Sequence, residues 1–194
     1  MGLYVLARHA QSTLNLEGRV NGDPRVHVEL TAEGEEQARR MGLELAQLPI
    51  DLCIHTRFER TRRTAAIALD GRRIPFREEP LLDDIDIGEL EGERTEDYRR
   101  WKDAHSRRDL FPGGESLEQA ATRYAEALAA LAREAEHTVL VVCHEIPVRY
   151  AINGAGGSAS LEAPVHDVPN ATPFLFAPVA LAAAARAIAA LAAA

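Results

Sequence analysis

Arg8 and His9 stand side by side at the end of an apolar run of strand length, and the small polar residues Ser12 and Asn15 follow them. A guanidinium offers planar, permanently charged donors that match phosphate oxygens, and a neutral imidazole is a nucleophile or a base. The pair therefore points to phosphoryl chemistry. A second histidine, His144, closes another apolar run at 138–143, and Arg60 follows a third run at 50–55 after a short polar stretch. In residues 83–91 the carboxylates of Asp83, Asp84, Asp86, Glu89 and Glu91 are interleaved with apolar residues, so they cannot all sit in solvent or in a core. Some of them face a site. Taken singly, each feature has an ordinary explanation, such as a strand-end histidine or an arginine on the wet face of a helix.

The elements that must position these residues follow from pattern. A buried strand that stops at a polar loop presents its last residues at the carboxyl end of a sheet, where ligands bind in open α/β folds. Residues 15–25 hold Gly18, Gly22 and Pro24 and read as a loop folding over the pocket. Thr31 is an N-cap with Glu33, Glu35 and Glu36 behind it, and Ala38, Met41, Leu45 and Leu48 recur at helical spacing up to Pro49. Residues 57–69 read as a helix whose arginines are mostly solvated, with Arg60 placed to reach the crevice. A third strand is expected at 74–78. Residues 95–109, polar around Tyr98 and Trp101, read as a surface helix whose arginines form a solvated face rather than a lid. A loop at 111–116 leads into a helix carrying Leu117, Ala120, Tyr124, Leu128 and Leu131, and a last strand is expected at 174–177 after the loop 169–172. Strands alternating with helices imply a three-layer α/β/α sandwich with a mostly parallel central sheet.

At 194 residues the expectation is a single domain over 1–194, closed by an Ala-rich helix at 179–194. That tail is interrupted by Arg186 and is short for a bilayer core of about 30 Å, so it reads as a packing helix and not a membrane span. Lys and Arg total 22 against 30 Asp and Glu, and a formal net charge of -8 argues against a nucleic-acid or anionic-membrane partner. Cys53 and Cys143 lie in apolar runs and make neither a disulfide framework nor a metal-ligand cluster. No secretory signal is visible before Arg8, and Leu6 stands where a myristoylation motif starting at Met1 wants Ser or Thr. The expected location is cytoplasmic, and the oligomeric state stays open between monomer and homodimer.

In chain order, Arg8, His9, Ser12 and Asn15, then Leu30-Thr31 with Gly34, Gln37, Ala38 and Gly42, then Arg60 with Thr64 and Ala65, form a recognisable series. Asp84, Asp86, Gly88, Glu91 and Gly92 continue it, followed by Gly114, Glu115, Ser116 and Arg123, by His144, and by Pro169, Asn170 and Ala171. This series resembles the histidine phosphatase superfamily, also called phosphoglycerate mutase-like, in which Gly and Glu are usual where Ala10 and Gln11 stand here. The resemblance implies His9 as nucleophile, His144 as its partner, and Arg8 and Arg60 as phosphate clamps. It implies substrate contacts at Ser12, Asn15, Asn21, Gly22 and Glu145. Asp84 takes the place of the family's glutamate acid, with Asp83, Asp86 and Glu145 as alternative donors, and Glu145 replaces a common glycine.

What the resemblance implies overall is a phosphomonoester hydrolase acting through a phosphohistidine on a small phosphorylated metabolite, with no cofactor and no metal. Alternatives are a cofactor-dependent phosphoglycerate mutase-type phosphotransferase and a catalytically weak phosphate-binding homologue. A zinc hydrolase is disfavoured, because arginines crowd the site and position 148 is Val where a helical zinc motif needs a second histidine. The dedicated mutases carry a longer insertion over the crevice than the interval 93–112 here, which favours hydrolysis.

Overall fold

The computed structural model describes residues 2–134 and 137–193. Met1, with the start motif considered above, and Ala194, the last residue of the Ala-rich tail, lie outside the described residues, as do Ala135 and Glu136. In chain order the elements are β1 (Leu3–Arg8), α1 (Thr13–Leu16), α2 (Ala32–Glu44), β2 (Leu52–His55), α3 (Glu59–Ala68) and β3 (Phe76–Glu78). There follow α4 (Thr95–Ala104), α5 (Leu117–Arg133), β4 (Thr138–Cys143), α6 (Glu145–Ala155), β5 (Pro173–Phe176) and α7 (Pro178–Ala192). The five strands form one sheet in the order β3-β2-β4-β1-β5. All neighbours are parallel except β5, which runs antiparallel to β1 along the edge.

Alternation along the strands sorts the core into two halves, since successive strand side chains point to opposite faces. Val5, Ala7, Cys53, Leu140 and Val142 pack against Ala38 and Met41 of α2 and Ala65 of α3. Tyr4, Leu6, Ile54, Val139 and Val141 face the other way, onto Tyr124 and Leu128 of α5, Val148 of α6 and Leu181 of α7. The result is the expected three-layer sandwich. The Ala-rich α7 is a packing helix that buries Leu181, Ala184, Ala185 and Ile188. Among the described residues no helix is long and apolar enough to cross a membrane. Both cysteines are buried, and burial pushes their thiols up to about 12, which leaves them as small apolar residues.

Several boundaries differ from expectation for local reasons. The third strand starts only at Phe76, where pairing with Cys53 begins. Helix α3 starts at Glu59 because Thr61 Oγ1 donates to the Phe58 carbonyl and receives the Thr56 amide, which folds residues 56–58 into a turn and leaves Arg57 outside. The last strand spans Pro173–Phe176, one residue earlier than expected.

Helix α2 is held tightly to the loop that follows β1. Thr31 Oγ1 accepts from the Gly34 amide at 2.9 Å, and the Thr31 amide donates to the Gln11 carbonyl at 3.0 Å. A Cβ at Gly34 would lie 2.1 Å from the Gln11 carbonyl oxygen, which is backbone and cannot turn aside. Helix propensity alone gives Ala an advantage of about 1 kcal/mol over Gly, whereas overpacking a closed contact costs about 1–3 kcal/mol. Gly34→Ala is therefore expected to lower the urea midpoint of unfolding. A stabilised variant would show that α2 is free to move off the loop.

Candidate active site

The carboxyl ends of β1, β2 and β4 bring their polar residues to one crevice, a cavity of about 520 Å³ that Arg8, His9, Arg60 and Asp84 help to line. His9 is 3% exposed. Its Nδ1 lies 2.8 Å from the Ala10 carbonyl, which can only accept, so Nδ1 carries the proton and Nε2 keeps a lone pair. Arg60 Nε donates to that Nε2 at 3.0 Å. Burial, then the charges of Arg60 and Arg8, hold the imidazole well below its ordinary pKa and hence neutral. The backbone at this point is clamped from the β5 edge of the sheet: Asn170 Nδ2 donates to the His9 carbonyl at 2.7 Å and the Ala171 amide to the Arg8 carbonyl at 3.0 Å.

His144 forms the N-cap of α6, with its ring centroid 5.5 Å from that of His9. Its proton can be assigned by counting donors. Thr61 Oγ1 gives its hydrogen to the Phe58 carbonyl at 2.8 Å and accepts from Thr56 Oγ1 at 2.9 Å, so Thr56 Oγ1 accepts from His144 Nε2 at 2.9 Å. Nδ1 then faces the cavity side, 3.2 Å from Arg60 Nη2 and 3.3 Å from Asp84 Oδ2. The family resemblance implied two catalytic histidines, and a positive His144 would serve transferring phosphate oxygens. Burial first, and Arg60 next, instead hold its pKa well below the usual value, so in these surroundings the ring is neutral.

Of the candidate carboxylates, Asp84 reaches furthest into the cluster, with Oδ2 3.1 Å from Arg60 Nη2. Burial raises its pKa against the opposing pull of Arg60. Asp83 is turned away and accepts from the Arg57 amide at 3.0 Å and Nε at 2.5 Å, while exposed Asp86 caps the Gly88 amide. Glu145 does line the cavity, paired with Arg8 at 3.1 Å and with Arg149 at 2.9 Å. The acid loop is hung on Arg123, which donates to the carbonyls of Leu81, Asp83 and Asp84 and pairs with Glu115 at 2.5 Å.

The remaining expected contacts divide. Ser12, Asn15 and Asn21 line the cavity, although Ser12 and Asn15 also cap one another's backbone across α1. Gly22 does not line it: the Gly22 amide donates to Glu91 at 2.6 Å, and a Cβ there would meet the Ile85 carbonyl oxygen at 2.0 Å. It is a close-packing residue behind Asn21, not a phosphate contact. The solvated-face reading of residues 95–109 also needs correction, because Tyr98, Arg99 and Lys102 of α4 form the outer wall of the cavity. Beside Lys102 lies Arg149, 7% exposed, bonded to Glu145, the His166 carbonyl and the same Glu162 carboxylate that Lys102 approaches. Sequence reasoning missed Thr56, Lys102 and Arg149, and it named Glu91 without giving it a role. The helical spacing of Glu145 and Arg149 was a legible sign of Arg149.

Comparison with known proteins agrees with this geometry. Residues 4–173 match the model of the histidine phosphatase superfamily (branch 1). The chain is 31% identical over 156 residues to phosphoserine phosphatase 1 of Hydrogenobacter thermophilus, covering 75% of this chain and 72% of that one. It is 30% identical over 185 residues to 6-phosphofructo-2-kinase/fructose-2,6-bisphosphatase 4 of Rattus norvegicus; the match takes in 88% of this chain but spans only 37% of the relative's length. Its fold is shared with the alpha-ribazole phosphatase of Shigella flexneri, at a TM-score of 0.76 and 24% identity over 89% of each chain. With two histidines, two arginines and an acid loop in family order on the family's fold, the chain belongs to the histidine phosphatase superfamily.

Proposed function

We propose that the protein hydrolyses phosphomonoesters of small anionic metabolites through a phosphohistidine formed on His9 Nε2. The observation that carries this reading is the fixed tautomer of His9: with Nδ1 committed to Ala10, the lone pair on Nε2 points toward the donors of Arg60. Nε2 attacks phosphorus, the ester P–O bond breaks, and Asp84 gives its proton to the leaving oxygen. The resulting carboxylate then takes a proton from water, whose oxygen attacks the phosphohistidine and releases inorganic phosphate and free His9. Arg8 and Arg60 offset charge on the equatorial oxygens, and an incoming phosphate dianion favours protonation of His144 on the side facing it.

The outer wall bears on substrate class. Lys102 is half-buried and without a hydrogen bond among the described residues; the Glu162 carboxylate is 3.9 Å away. Burial pulls its pKa down, a cost that a bound anion would offset. With Arg99 and Arg149 nearby in the same wall, this favours esters bearing a second negative group. The phosphatase names of both relatives describe substrates with a further charged group. Hydrolysis, not isomerisation, is the expected outcome, because the interval 93–112 that carries α4 over the crevice is short.

Three outcomes are expected. His9→Ala abolishes release of phosphate from p-nitrophenyl phosphate and removes the acid-labile phosphate adduct from protein quenched during turnover; a folded variant with undiminished rate would sink the mechanism. Asp84→Asn slows alkyl phosphates by about 10²–10⁴-fold and p-nitrophenyl phosphate far less, since nitrophenolate barely needs a proton. Because burial raises the Asp84 pKa, the wild-type rate on alkyl phosphates falls only as pH climbs past that raised value, and this alkaline limb is absent from Asp84→Asn. Finally, 3-phosphoglycerate is hydrolysed with higher kcat/KM than glycerol 3-phosphate, and Lys102→Met narrows the gap. Formation of 2-phosphoglycerate dependent on 2,3-bisphosphoglycerate and faster than phosphate release would reassign the reaction to a mutase.

A further inference from the structure

Glu91 neither lines the cavity nor touches a histidine, yet it grips the loop on which Arg60 rests. Its Oε1 accepts from Asn21 Nδ2 at 2.6 Å, and its Oε2 accepts from the Gly22 amide at 2.6 Å and the Asp23 amide at 3.0 Å. Asn21 in turn receives Arg60 twice, Nη1 on its side-chain oxygen and Nη2 on its carbonyl, the latter at 3.1 Å. The same guanidinium donates to His9 Nε2 at 3.0 Å and lies 3.2 Å from His144 Nδ1. The loop has no slack, because Gly22 is pressed against the Ile85 carbonyl so closely that a Cβ would not fit.

We propose that Glu91 is a positioning residue for phosphoryl transfer, setting Arg60 against both histidines through Asn21. Three features make a carboxylate necessary here. Two oxygens must accept three N–H donors that point at one place, and a glutamine amide at that position would turn its own donor toward a donor. The second is charge. Arg60 is 4% exposed, and among the described residues its directly bonded carboxylate is Asp84, the group that must be neutral to act as an acid. When Asp84 is protonated, Glu91 remains as fixed negative charge on the other side of Asn21, and its field acts on Arg60. The third is orientation: Asn21 Nδ2 on Glu91 fixes which side-chain atom of Asn21 faces Arg60, namely the oxygen.

This inference rests on the phosphohistidine reading, and its test includes a measurement that needs no turnover. Glu91→Gln, Glu91→Asp, Asn21→Ser and the double variant Glu91→Gln/Asn21→Ser are compared with wild type by calorimetric binding of orthovanadate and of inorganic phosphate, by kcat and KM on p-nitrophenyl phosphate, and by thermal melts. Misplacing a clamp by about 1 Å costs on the order of 10²-fold, so Glu91→Gln is expected to lose 10–100-fold in kcat and in vanadate affinity. Phosphate affinity and KM change less, because vanadate mimics the five-coordinate transition state. Asn21→Ser gives a comparable loss, and the double variant is no worse than the more severe single one, as a shared path requires. Glu91→Asp, which keeps the charge, recovers part of the vanadate affinity. If Glu91→Gln fails to fold, Glu91→Asp and Asn21→Ser carry the comparison. A folded Glu91→Gln with wild-type vanadate affinity, or losses that multiply in the double variant, overturns the proposal. A wild type that binds vanadate without turnover counts against the phosphohistidine reading alone.

Discussion

The guanidinium of Arg60 is the constraint on which the rest of the site depends. It is a permanent charge removed from water, and such a group is tolerated only when its donors are taken up by well-placed acceptors. Nε is taken by His9, Nη1 by Asn21, and Nη2 is shared among the Asn21 carbonyl, Asp84 and His144. Those partners arrive from the ends of β1 and β4, the loop before α2 and the acid loop. Leaving one charge of a buried pair uncompensated typically costs about 3–5 kcal/mol, so the loops are bound to the strand ends by the same contacts that set up the chemistry. Phe58 adds its ring beneath the guanidinium, 4.3 Å from its carbon.

Burial around that cation displaces the neighbouring ionisable groups from their usual states, and the cation adds to the effect at the two histidines. A like charge and a dry environment both disfavour imidazolium, so His9 and His144 are neutral; a dry environment also disfavours carboxylate, and in Asp84 burial outweighs the nearby arginine. A nucleophile wants an unprotonated nitrogen and an acid wants a proton. Burial moves both in the required direction, aided by Arg60 at the histidines and opposed by it at Asp84.

The fold was legible because β1 and β4 are buried on both faces and therefore read as unbroken apolar runs ending on Arg8 and His144. Arg8, His9, Ser12, Asn15, Arg60, Asp84 and His144, which the structure gathers at or beside the crevice, were legible because they follow such runs or match family motifs. Gly22 was misread because a glycine in a loop has the same sequence signature whether its backbone meets a ligand or, as here, another loop. Glu91 was passed over among neighbouring acids, since composition cannot say which carboxylate turns inward. The wall residues of α4 were read as solvated because the helix buries none of its own residues, and its pattern is that of a surface helix. It is a surface helix whose partly buried residues Tyr98 and Lys102 look into a cavity.

The division between sheet and α4 has a consequence for how the two halves of the site can change. Arg8 ends, and His9 directly follows, a strand hydrogen-bonded on both sides, with their carbonyls held by residues 170–171, so their geometry is set by the packing of the whole sandwich. Helix α4 is attached by a different and smaller contact, the stacking of Tyr98 and Trp101 on Phe111 at 5.6 and 4.1 Å. Substitutions at Arg99 or Lys102 alter the charge that meets the far end of a substrate without touching any partner of Arg60. On the proposed mechanism, chemistry and selection are carried by elements that share a cavity but little packing, so a new leaving group would be accommodated at the wall while the phosphoryl-transfer geometry stays fixed.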